Sequence, residues 1–129
     1  MATTRKSPPA TTASPLRGEI HLTALDPTIG REIRKTRPAL IIQNDFSNRL
    51  SDITIVAPIT STVRFPLNPV HVLLPAGADT GLAYNSVALL NQIRAVDRRR
   101  LIKRLGAATP AILEQVDDAI RISLGLILL

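Results

Sequence analysis

Aromatic side chains are nearly missing from this 129-residue chain, which has one Tyr, two Phe and no Trp. Leu, Ile, Val and Ala must therefore fill the interior, and a nucleic acid cannot be held on a row of aromatic platforms. Cysteine is absent, which excludes a disulfide framework and a thiolate zinc site. The two histidines, His21 and His71, are too far apart in sequence to suggest a histidine-built metal site. No metal and no cofactor are expected. Long apolar runs are lacking too. The longest, residues 124–129, is too short to cross a bilayer, and the N-terminus carries Arg5 and Lys6 but no apolar stretch of signal-peptide length. A cytoplasmic protein without membrane contact is the expectation.

What is present is positive charge and enough apolar material for one core. Sixteen Lys and Arg against ten Asp and Glu give a net charge of +6 and a pI near 11.1, with 45% hydrophobic residues. A surplus of that size places the chain among proteins with a polyanionic partner. Most of the surplus is arginine, whose planar fork suits phosphate. At this length a single domain is expected over residues 16–129. It is preceded by a Pro/Ser/Thr/Ala-rich arm over residues 1–15 that lacks the apolar content to order itself.

Along the domain, residues 18–25 alternate as a half-buried strand, with Ile20, Leu22 and Ala24 on one face. A loop over residues 28–36 then carries Arg31, Arg34 and Lys35 directly into Arg37; it is either a solvated loop or a cationic contact surface. The stretch Pro38 to Gln43 reads as a strand covered on both faces. Residues 44–52 form a polar connection, and residues 53–60 a second strand ending in Thr60. Pro58 argues for an edge or bulged position there. A further loop holds Ser61 and Arg64, and a short strand covers residues 70–74. Residues 86–96 read as one strand in which Gln92 and Arg94 either face water or line a groove with Thr60. The sequence Asp97-Arg98-Arg99-Arg100-Leu101-Ile102-Lys103-Arg104-Leu105-Gly106 predicts a short helix, either a second basic surface or a solvated face. Thr109-Pro110 opens a final amphipathic helix. About five strands followed by two helices favour a small, partly open barrel closed by a C-terminal helix.

Several segments, in this order and spacing, carry a resemblance: Arg17-Gly18-Glu19-Ile20, Leu25-Asp26-Pro27-Thr28-Ile29-Gly30, Arg37-Pro38-Ala39-Leu40-Ile41-Ile42-Gln43-Asn44-Asp45, Asn48-Arg49, Ile55-Val56-Ala57-Pro58-Ile59-Thr60-Ser61, Ser86-Val87-Ala88-Leu89-Leu90-Asn91-Gln92-Ile93-Arg94 and Ile122-Ser123-Leu124-Gly125-Leu126. Together they resemble the MazF/PemK family of toxin ribonucleases. The resemblance implies an SH3-like (CcdB/PemK-type) barrel that forms a homodimer. It also implies metal-independent cleavage of single-stranded RNA, and neutralisation by a cognate antitoxin. In such enzymes the 2′-hydroxyl attacks its own phosphate, leaving a 2′,3′-cyclic phosphate and a 5′-hydroxyl. Carried over by position, Arg37 and Thr60 become the catalytic pair and Gln92 a base contact. Arg31, Arg34, Lys35, Ser61, Arg64 and Arg94 are the remaining expected RNA-binding residues. The chain departs from the family pattern at His21, where an aromatic is common, and at Asn85 and Asn91, where acidic residues are common. Those positions bear on which RNA sequence is cut.

Three other readings compete. A non-catalytic toxin of the same fold, like the CcdB gyrase inhibitors, would act by binding protein, but those rely on an aromatic-Gly-Ile ending that is absent here. An inactive relative that only binds RNA or an antitoxin is the second, and a basic RNA-binding barrel unrelated to toxins is the third.

Overall fold

The computed structural model describes residues 13–32 and 35–128. The expected N-terminal arm falls largely outside them, although Pro15 is already buried. Seven strands, β1 (Glu19–Ala24), β2 (Thr36–Ile41), β3 (Ile53–Thr60), β4 (His71–Leu74), β5 (Ser86–Leu89), β6 (Arg94–Asp97) and β7 (Leu101–Ala107), accompany two helices, α1 (Asp45–Leu50) and α2 (Pro110–Ser123). All pairings are antiparallel, in the order β4-β5-β3-β2-β1-β7, with β6 also on β3. The path does not close, so the mainly β, partly open architecture with a C-terminal helix matches the sequence reading.

β2 is buried on both faces because its run of apolar residues supplies two cores at once. Leu40 and Ile42 join the main cluster with Ile20, Ala57, Ile59, Leu74 and Leu90. Ala39 and Ile41 join a smaller one with Leu25, Val56, Val96 and Leu101. Helix α2 closes the main cluster with Val116 and Ala119. Thr109 caps it, its hydroxyl accepting the Ile112 N–H at 3.3 Å, and Pro110 needs no partner in the first turn. At the other end Gly125 takes φ 73°, and Leu126 N–H reaches Arg121 O at 2.8 Å in a Schellman arrangement.

Several expectations are corrected. Residues 97–106 are not a helix. Asp97 caps only a single 3-10 turn, Arg98–Arg100, and the chain then pairs with β1 as β7. Thus one C-terminal helix, not two, follows the sheet. Residues 86–96 are two strands, broken at 90–93 because β5 and β6 pair with different parts of β3. The polar connection 44–52 contains α1, capped by the Asn44 side chain, which accepts the Ser47 N–H at 2.7 Å. In β1, register shifts against β7 leave Leu22 half-exposed while Thr23 is buried. β3 is no edge strand: it has β2 on one side and β6, then β5, on the other. Pro58 falls in the gap between the β6 pairing, which ends at Val56, and the β5 pairing, which starts at Ile59. A residue without an N–H fits where a ladder is interrupted.

Candidate active site

The site follows from the β2–β3 register. Ala39 pairs with Pro58, Leu40 with Ala57 and Ile41 with Val56. The recorded pairing ends at Ala39 and Pro58; two residues further along each strand come Arg37 and Thr60, on the same face as that pair because alternate residues share a face. Arg37 also lies opposite Thr23 of β1, and Thr60 opposite Val87 of β5. Both are half-buried at strand ends. The fixed φ of Pro38 follows Arg37 directly and restricts its backbone to extended conformations. The Thr60 hydroxyl oxygen accepts the Thr62 N–H at 3.2 Å, which leaves its proton to be donated elsewhere.

Two recesses flank this row. One, of about 410 Å³, is lined by Arg31, Glu32, Pro58, Asn91, Gln92, Ile93 and Arg94. The break at 90–93 that separates β5 from β6 forms its floor. Arg94 stands opposite Val56, on the face shared with Pro58, Thr60 and Arg37. Glu32 is anchored by the Ile29 N–H, which it accepts. The recess thus combines guanidinium, amide and carboxylate groups with an apolar floor, a set able to read the hydrogen-bonding edge of a base. The second recess, about 460 Å³, holds Ser61 among mostly apolar residues: Val63, Phe65, Leu73, Leu74, Pro75 and Asn85.

The residues expected to bind RNA are therefore distributed. Arg31, Gln92 and Arg94 share the polar recess, and Ser61 belongs to the apolar one. Arg64 is exposed on the loop after β3. Lys35 is exposed as well and takes φ 73°, its carbonyl accepting the Leu25 N–H at 3.1 Å. This left-handed residue turns the chain into β2. Arg34 lies outside the described residues. The sequence reading singled out Asn85 as bearing on which RNA is cut, but it did not bring Phe65 and Leu73 into one recess with Ser61.

The basic stretch 98–104 behaves differently from an open phosphate surface. Arg98 donates to Ala13 O at 3.1 Å, Arg99 to Asp97 at 3.0 Å, Arg100 to Ala24 O at 3.1 Å and to Asp26 O, and Arg104 to Glu19 at 3.0 Å. Those bonds from Arg99 pull the Asp97 carboxyl down to about 2. Two of the four, Arg100 and Arg104, tie this stretch to β1. Glu19 also meets His21 Nε2 at 3.0 Å and accepts the Leu16 N–H at 2.9 Å. Burial pushes its carboxyl up, but the bonds with His21, Leu16 and Arg104 outweigh that and hold it below the usual value.

Residues 16–124 match the family of PemK-like, MazF-like toxins of type II toxin-antitoxin systems. The endoribonuclease EndoA of Bacillus subtilis (strain 168) is 40% identical over 111 residues, 86% of this chain and 95% of that protein. Among solved structures, MazF from Deinococcus radiodurans superposes with a TM-score of 0.74 at 27% identity, covering 88% of this chain and 98% of that one. An endoribonuclease in complex with its cognate antitoxin, from a mycobacterial species, gives 0.72 at 25% identity, covering 90% and 100%.

Proposed function

Because the chain belongs to the family of PemK-like, MazF-like toxins, we propose that it is an endoribonuclease toxin that cleaves single-stranded RNA and is neutralised by a cognate antitoxin. The observation that supports this reading is the antiparallel β2–β3 pairing, which puts Arg37 and Thr60 two residues beyond the Ala39–Pro58 pair, near a recess lined by Gln92 and Arg94. The names of EndoA and of the antitoxin-bound mycobacterial enzyme support it.

In the proposed mechanism the 2′-hydroxyl attacks the adjacent phosphorus and forms a five-coordinate phosphorane. The bond to the 5′-oxygen then breaks, giving a 2′,3′-cyclic phosphate and a 5′-hydroxyl. Arg37 remains protonated throughout, because a guanidinium gives up its proton only above about pH 12. Its contribution is therefore to bind the equatorial oxygens as their charge grows, an interaction stronger in the transition state than in the ground state. Thr60 donates its hydroxyl proton to a phosphate oxygen or orients the 2′-hydroxyl. Arg31, Gln92 and Arg94 position the strand. None of these steps calls for a metal ion.

The active unit in this reading is a homodimer. The apolar side chains of Leu124, Leu126, Ile127 and Leu128, all exposed beyond α2, would be covered by a second copy.

The test is to incubate the purified protein with a mixed single-stranded RNA pool in EDTA and analyse the ends. Cyclic phosphate and 5′-hydroxyl ends are expected. Cleavage leaving 3′-hydroxyl and 5′-phosphate ends, or cleavage lost in EDTA, would contradict the mechanism. Absence of any cleavage would return the chain to the binding-only readings.

A further inference from the structure

The three aromatic residues of the chain are all at the surface: Phe46 is 64%, Phe65 73% and Tyr84 72% exposed. A ring left in water where it could have filled the core calls for an explanation. Phe46 has one within the chain, since the Arg49 guanidinium lies 5.9 Å from its ring centroid. Phe65 stands instead at the apolar recess of about 460 Å³ with Ser61, Leu73 and Asn85.

That recess is continuous with the proposed site. Ser61 follows Thr60 directly. Leu73 lies opposite Val87, and Val87 opposite Thr60, so the three share a row on one face of the sheet. The recess extends from Leu73, two strands from Thr60, to Ser61, the residue that follows Thr60. Its polar groups sit at the edge. Asn85 Oδ1 accepts the Ala76 N–H at 2.8 Å, which fixes the amide and turns its NH2 group into the side chain's remaining hydrogen-bonding end. Arg64, exposed immediately before Phe65, adds a cation at the rim. A flat ring with an acceptor on its edge and a phosphate beside it satisfies all of these groups.

We propose that the recess formed by Phe65, Leu73 and Asn85 is a nucleobase subsite for the RNA strand that passes Thr60, with Phe65 stacking on the base and the Asn85 amide donating to its edge. The proposal rests on the endoribonuclease reading and deepens it. The two recesses would read the strand by different chemistry: hydrogen bonds from Gln92 and Arg94 on one side, and a single stacking platform on the other. One isolated platform is compatible with a chain too poor in aromatics for a row of them.

Since the chain has no tryptophan, Phe65→Trp creates a sole tryptophan at the recess, which can be excited selectively over Tyr84. Titration of this variant with 2′-O-methyl oligoadenylate, oligocytidylate and oligouridylate, against an abasic oligomer of equal length, should show strong quenching by at least one base-bearing strand and none by the abasic one. In the mixed pool, Phe65→Ala should slow cleavage about 5- to 160-fold, the range expected for one lost base stack, and flatten sequence preference at one position. Asn85→Asp, which replaces the donor with an acceptor, should alter preference at that same position.

Equal emission changes with base-bearing and abasic strands would overturn the subsite, as would a wild-type cleavage profile in Phe65→Ala. So would quenching by an antitoxin peptide alone, which would assign the recess to protein. If the wild-type protein cuts the pool while the Phe65 variants keep its profile, only the subsite fails. If the wild type does not cut, the endoribonuclease reading fails, and the tryptophan titration still decides whether a base enters the recess.

Discussion

At Thr60 a single hydroxyl serves both fold and proposed chemistry. Its oxygen accepts the Thr62 N–H at 3.2 Å at the start of the loop after β3, and in the proposed chemistry its proton is donated to the substrate. Thr60→Ala should lower the single-turnover cleavage rate by at least ~10²-fold, the loss typical of a donor aimed at developing negative charge. Thr60→Ser should retain most of the rate. A loss smaller than about threefold in the alanine variant would make Thr60 a loop anchor only. The sequence offered Thr60 and Arg37 as candidates at the exit and the entrance of two apolar strands, and the family resemblance made them a pair. Antiparallel neighbours joined by a short connection bring the entrance of one strand to the exit of the next. Asn85 was picked out by the resemblance, but Phe65 was not legible, since it comes from the irregular loop after β3 that leaves no pattern in the chain.

Among the elements, the junction of β1 with β7 shows where local signals mislead. Residues 97–106 carry an N-capping Asp, spaced apolar residues and a terminal Gly, a sound helix signature. The cap is real, but it closes one 3-10 turn, after which pairing with β1 overrides helix propensity. α2, by contrast, was read correctly because its cap, its first-turn proline and its apolar stripe all agree. Glu19 stitches the β1–β7 junction by bonding His21 and Arg104. Its carboxyl is held below its ordinary value in the folded chain. Folded protein therefore binds this proton less readily than unfolded protein does, so the stabilisation is complete above the unfolded value and disappears as pH falls through the folded one. Denaturant midpoints measured downward from about pH 5 should fall in the wild type, and Glu19→Gln should flatten part of that slope. Parallel slopes in the two proteins would remove Glu19 from the acid response.

Over the whole molecule, the surplus of positive charge was legible but its distribution was not. Arg98, Arg99, Arg100 and Arg104 bind acceptors of their own chain. Arg31 and Arg94 line the polar recess, and Arg64 is exposed on the loop beyond Thr60. RNA affinity should accordingly follow the cations around the site more than the net charge of +6. Binding of uncleavable RNA should weaken with salt by a log-log slope of about −0.7 for each phosphate contacted. Arg94→Ala should make that slope shallower, and a flat salt response in the wild type would count against a phosphate-binding groove. The central claim, that Arg37 and Thr60 act as one pair across β2 and β3, is tested most directly by Arg37→Ala. Its cleavage of the RNA pool in EDTA should be abolished while its melting temperature and antitoxin affinity match the wild type; cleavage at the wild-type rate would contradict the account.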